Sequence, residues 1–193
     1  NYGKAPVKFA TVIGIVGAGK TVYLSQLLKG MQTYATKVGI SAQRNQAGIR
    51  AFVESNQVVA NQPLPGSTPE TRFQQPLFYE LQLNAGENQR ITNTLVLYDV
   101  AGEVFKDEHL VTRFAPFIEH TDGIIMLIDP LQFGVISGAA EEAKQLDEPT
   151  AAIETIRNIL SNGSINEKCS IPLAVCISKA DQKAVQAVFS NNL

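Results

Sequence analysis

The densest chemistry in the chain lies in Gly14-Ile-Val-Gly-Ala-Gly-Lys-Thr21, where Gly14, Gly19, Lys20 and Thr21 satisfy the P-loop pattern G-x-x-x-x-G-K-S/T. Gly14, Gly17 and Gly19 allow the backbone conformations that turn successive amides, Ala18 and Val22 included, into one concavity. A helix starting at Lys20 adds unpaired N–H donors and partial positive charge, which suits a phosphate chain. The Lys20 ammonium would reach the terminal phosphates, and the Thr21 hydroxyl would ligate magnesium.

That chemistry needs a strand before the glycines and a helix after them. Val7 to Val16 reads as a buried strand, β-branched at Thr11, Val12 and Ile13. Val22, Leu24, Leu27 and Leu28 keep helical spacing, which predicts a helix from about Lys20 to Tyr34. Residues 35–44 carry no clear period. Ile49, Phe52, Val53, Val59 and Ala60 predict a second amphipathic helix stopped by Pro63. Residues 61–76, with four prolines, read as a functional or mobile loop. Leu77–Leu83 and Ile91–Val100 predict two strands joined across 84–90 as a hairpin. Val111, Phe114 and Phe117 or Ile118 give a helical face that Pro116 must kink or restart. Gly123–Asp129 is a further buried strand, and Ile171–Ile177 is the last clear strand. Between them, 131–148 is a loop with a possible short helix, and Ile153, Ile156 and Leu160 mark a helix entered at Pro149 and ending at Gly163. Strands alternating with helices predict a three-layer α/β fold: a mostly parallel sheet, one antiparallel hairpin strand, and helices on both faces.

Ligands in such sheets bind at the carboxyl ends of the strands. Asp99 closes one strand, as expected of a carboxylate that holds magnesium, and Gly102 could bring its amide to a terminal phosphate. The alternative for this Asp-x-x-Gly is a strand end with a turn. Ser178-Lys179-Ala180-Asp181 closes the last strand. Asp181 could accept hydrogen bonds from guanine N1–H and its exocyclic amine while the Lys179 stem lies along the base. A solvated lysine and a helix N-cap aspartate are the plain alternative. Asp129 also ends a strand but lacks a glycine three residues on, so it is set aside as non-catalytic. His109 and His120 fit no metal-ligand spacing and read as surface or helix-end residues.

Composition narrows the setting. The 193 residues suit one domain, 1–193, and 45% hydrophobic with 18% charged residues is ordinary globular usage. A net charge of −2 supplies no basic field for nucleic acid or anionic membrane. No apolar run is long enough to span a bilayer. Cys169 and Cys176 have no metal or redox spacing, Cys176 reading as a small core residue, which fits a reducing cytoplasm. The chain begins at Asn1, so it is expected to be part of a longer protein.

The three motifs, Gly14 to Thr21, Asp99-Val-Ala-Gly102 and Ser178 to Asp181, occur in this order and together resemble the P-loop GTPases of the translation-factor and Ras-like (TRAFAC) class. The proline-containing loop with Leu64-Pro-Gly-Ser-Thr68 looks most like bacterial double-GTPase-type modules. The resemblance implies a P-loop NTPase fold, a G domain, with GTP or GDP and magnesium as cofactors. By the same resemblance Lys20 and Thr21 serve phosphate and magnesium, Asp99 serves magnesium, Gly102 senses the γ-phosphate, and Lys179 and Asp181 read guanine. Thr68, with Thr71 and then Ser67 as alternatives, would complete the magnesium shell from the loop. Three departures stand out. Ser178 replaces the usual asparagine or threonine, which weakens support of the P-loop and the base. Glu103 replaces the water-orienting glutamine, which implies hydrolysis that is slow or organised otherwise. Twelve residues follow Asp181 with no recognisable final strand, base-contacting loop or closing helix, so the domain is expected to be incomplete at its C-terminus. The implied function is a slow GTPase working as a switch with a protein effector or a second GTPase module. An ATP-using P-loop enzyme and a nucleotide-binding scaffold with little turnover are its rivals.

Overall fold

The computed structural model describes residues 6–37, 40–44, 49, 52–53, 76–84, 90–133, 150–151, 153–158, 161 and 171–190. Its central strand is β1, Val7–Ile13. Val12 and Ile13, both fully buried, belong to two different cores, one on each face of the sheet. A strand covered on both faces must be apolar in both directions, which explains its continuous hydrophobic run. The other strands are β2 (Ile40–Arg44), β3 (Leu77–Asn84), β4 (Arg90–Asp99), β5 (Gly123–Ile128) and β6 (Leu173–Ile177). Among the described residues they form one six-stranded sheet in the order β2-β3-β4-β1-β5-β6. β4, β1, β5 and β6 are parallel, while β3 runs antiparallel to β4 and β2 antiparallel to β3.

Helices cover both faces. On one, Leu24, Leu28 and Ala35 of α1 (Lys20–Lys37) pack into the core of Val12, Leu97 and Leu127, which Ile49 and Val53 also enter. On the other, Val104 and Phe105 of a 3-10 turn, Gly102–Lys106, join Val111 of α2, Glu108–Phe114, over Ile13 and Ile124. Ile118, in a second 3-10 turn at Pro116–His120, and Ile156 complete that core. A last helix, α3, spans Lys183–Ser190 and buries Val185. No helix among the described residues is long and apolar enough to cross a membrane.

The expected three-layer α/β architecture is therefore present, with the hairpin strands where the alternation placed them. α1 runs one turn past Tyr34, and β2 arises in the stretch that showed no period. As a five-residue edge strand, β2 is set by pairing with β3 rather than by a pattern of its own. Pro116 restarts the chain: α2 stops at Phe114, and Ala115, at φ −136° and ψ 45°, separates it from the following turn. His109 and His120 are exposed. The loop 61–75 with Ser67, Thr68 and Thr71, the expected helix beyond Val53, the hairpin turn 85–89, residues 134–149, Gly163 and Cys169 lie outside the described residues.

Register sets what this fold offers chemically. Val12 pairs with Asp99, Ile13 with Met126, and Ile128 with Ile177, so four parallel strands end along one edge.

Candidate functional site

At that edge β1 passes into the glycine loop. Gly17 and Gly19 hold φ angles of 77° and 86°, a left-handed region where a side chain would be strained. Ala18 N donates to Ile15 O at 3.2 Å, and Tyr23 N to Gly19 O at 2.8 Å, which starts α1. Ala18 is buried beneath the loop.

Lys20 folds back over this loop. Its Nζ donates to Gly14 O at 2.8 Å and Ile15 O at 3.0 Å, and the residue is buried. Burial lowers its pKa to about 8, against the opposing pull of the Asp99 and Glu103 carboxylates. One residue on, Thr21 Oγ1 donates to Asp99 Oδ2 at 2.8 Å. Asp99 is itself buried at the last position of β4. Lys20, Thr21 and Asp99, expected together from two separate motifs, lie together.

Gly102 and Glu103 approach from the segment after β4. Gly102 rests on the glycine loop so closely that a Cβ there would lie 2.6 Å from Ile15 C and 2.8 Å from Val16 Cα, and would press on Val16 N. Val104 and Phe105, both buried, anchor the segment from below. Glu103 stays partly exposed, near enough to Lys20 to influence its charge.

The segment after β6 lies two strands from β1. Ser178 turns back on β5: its amide donates to Ile128 O at 2.8 Å and its Oγ to the same oxygen at 3.2 Å. Lys179 takes a left-handed φ of 54° and sends Nζ to Asp129 Oδ2 at 2.6 Å. Asp181 is exposed.

Two residues with contacts at the site had carried no functional weight in the sequence. Asp129, set aside as non-catalytic, is fully buried and grips Lys179. Gln132, in the 3-10 turn Pro130–Phe133, donates its Nε2 to Val16 O of the glycine loop at 2.6 Å. A lone glutamine past a strand end has no sequence signal. For Asp129 the signal was its place at the end of an apolar strand, which reads equally as a turn.

Two comparisons bear on this site. The family model described as Double-GTPase 2 matches residues 8–193. The chain is also 26% identical over 188 residues to a protein of Mycolicibacterium smegmatis named "Putative ESX-1 scaffolding and assembly protein SaeC", covering 89% of this chain and 46% of that protein. The chain thus spans about half the length of the curated relative it matches.

Proposed function

The chain belongs to the Double-GTPase 2 family, a GTPase-like module, and on that premise we propose that it binds GTP with magnesium and hydrolyses it slowly as a nucleotide-dependent switch. One observation carries the reading: Thr21 Oγ1 touches Asp99 Oδ2 at 2.8 Å, while Lys20 and Gly102 border the same glycine loop.

The loop amides and the Lys20 ammonium hold the phosphate chain, Lys20 exchanging its two carbonyl acceptors for phosphate oxygens. Thr21 and Asp99 fit magnesium, since they are hard oxygen donors already in contact, and Thr68 is the loop residue assigned to complete the set. Bound there, the cation would neutralise charge on the β- and γ-phosphate oxygens. Gly102, with no side chain between it and the loop, presents its amide to the γ-phosphate. In hydrolysis a water oxygen would bond to the γ-phosphorus as the bridging oxygen leaves with GDP, the water's proton passing to a phosphate oxygen, and Glu103 would accept a hydrogen bond from that water. The same carboxylate adds negative charge beside the phosphate, which goes with slow turnover. Asp181 accepts from guanine, with Lys179 and Ser178 shaping that end of the site.

A second reading has its own support. The relative's printed name is that of a scaffolding and assembly protein, which favours a module that binds nucleotide to assemble partners and turns over little. In either reading the chain is one GTPase module of a longer cytoplasmic protein, with an effector or a second module as partner. Fluorescent GTP and ATP analogues, titrated with and without magnesium, test the assignment. Magnesium-dependent preference for GTP supports it, and equal binding of ATP overturns the guanine reading. Multiple-turnover phosphate release then separates switch from scaffold.

A further inference from the structure

Ser178 gives both its amide and its hydroxyl hydrogen to Ile128 O, so neither donor is directed at the glycine loop. The four residues that follow β5 make the connection instead. Asp129 Oδ2 holds Lys179 Nζ, and its Oδ1 accepts from Leu131 N at 3.1 Å. Gln132 N donates to Asp129 O at 3.0 Å and closes the turn. From that turn the Gln132 side chain crosses to Val16 O at 2.6 Å, and a Cβ on Gly17 would lie 3.3 Å from the same Nε2. Its Oε1 is buried without a hydrogen-bond partner among the described residues, so the bond to Val16 is what orients the amide. The opposite amide orientation would set two oxygens against each other.

We propose that Asp129 and Gln132 are positioning residues: Asp129 fixes Lys179 and Gln132 fixes the glycine loop, so that one turn sets the spacing between the base end and the phosphate end of the site. The effect on nucleotide rests on the GTP-binding reading, whereas the effect on the loop does not. Lys179 has a reason to be held, since a lysine at φ 54° occupies a backbone region that non-glycine residues rarely adopt. The buried Asp129 carboxylate in turn needs a cation, and Lys179 supplies it at 2.6 Å. The Val16 carbonyl lies between the glycines whose geometry aims the loop amides. A donor there stops the peptide from rotating.

The experiment compares wild type with Gln132→Met, which keeps length and removes the donor, and with Asp129→Asn, which keeps shape and acceptor but loses the charge. Hydrogen exchange on nucleotide-free protein is read first. Gln132→Met should speed exchange in residues 15–19 by about tenfold, the order expected for one lost hydrogen bond, and leave 178–182 unchanged. Asp129→Asn should do the reverse. If it does not fold, the double variant Asp129→Asn with Lys179→Met, which removes both charges of the pair together, should give the same pattern. Release of fluorescent GDP is read second: Gln132→Met should quicken it by about as much as it quickens exchange and keep the ratio of GDP to ADP affinity, which Asp129→Asn should lower. Unchanged exchange in 15–19 on loss of the Gln132 donor overturns the proposal, as does uniformly raised exchange across the sheet. If exchange changes as expected and wild type binds neither GDP nor GTP, the positioning role stands and the GTP reading falls.

Discussion

The buried Lys20 sets an opposition between nucleotide affinity and stability that pH can expose. Nucleotide phosphates need the ammonium, yet burial holds the Lys20 pKa at about 8 rather than 10.5. Raising the pH from about 7 to about 8.5 reduces the charged fraction from roughly nine-tenths to roughly one-quarter, so affinity should fall about fourfold, or about 0.8 kcal/mol. A lysine at 10.5 would lose almost nothing over that range. Folding responds with the opposite sign. Because the folded pKa is lowered, the unfolded chain binds the extra proton between about 8 and 10.5, and the nucleotide-free protein gains stability as pH rises through that window. The full gain is about 3 kcal/mol, taken as an order of magnitude from the size of the shift. Equilibrium titration of a fluorescent GDP analogue at fixed ionic strength, below the range where guanine N1 ionises, reads the first effect. Thermal melting without nucleotide reads the second, and Lys20→Met is the control. It should lose nucleotide binding yet melt no lower than wild type at neutral pH, since it removes a buried charge. Affinity that stays flat between about pH 7 and about 8.5 would refute the lowered pKa.

Three further perturbations separate the parts of the site. Gly102→Ala places a methyl against Ile15 and Val16 backbone that cannot turn aside, so it should cost about 1–3 kcal/mol and lower the melting temperature by about 2–12 °C. A melting curve like that of wild type would mean that the segment after β4 moves freely off the loop. Glu103→Ala should change kcat more than GTP affinity, and should shift the alkaline loss of affinity to lower pH by removing a charge that favours the Lys20 ammonium. A fall in affinity with kcat intact would assign Glu103 to structure. Asp181→Asn should move preference from GTP towards xanthosine triphosphate in competition assays, because an amide can donate to the xanthine carbonyl. No change in the ratio would leave Asp181 a surface residue.

The parts of this molecule that were legible in sequence are those whose residues act locally. β1, the glycine loop and α1 follow from one continuous stretch, because a buried strand, a left-handed turn and an apolar helical face each have a short-range pattern. Asp99 and Gly102 were also legible, since a parallel sheet delivers every strand end to the same edge and the order of motifs then brings them together. β2 was not, because its structure comes from a partner more than thirty residues away in the chain. Gln132 was hidden for a stronger reason. Its contact with Val16 spans 116 positions, and no rule of spacing connects a glutamine after β5 to a carbonyl before α1.

Asp129 shows how setting a residue aside for one role can miss another. The absence of a following glycine argues against the Asp99-like part, but a buried carboxylate must have a cation or donors to be tolerated at all. Its partners are Lys179 and the Leu131 amide, one from the next strand and one from its own turn. β5 pairs with β6 through Ile128 and Ile177, which brings Ser178 opposite Asp129; Lys179, one residue further on, turns at φ 54° and reaches back to the carboxylate with Nζ. The ion pair therefore orients the Lys179 side chain without any bound base. Such preorganisation reduces the ordering that binding must supply. It follows that the base end should lose less mobility on GDP binding than the glycine loop, where Lys20 must first leave the Gly14 and Ile15 carbonyls.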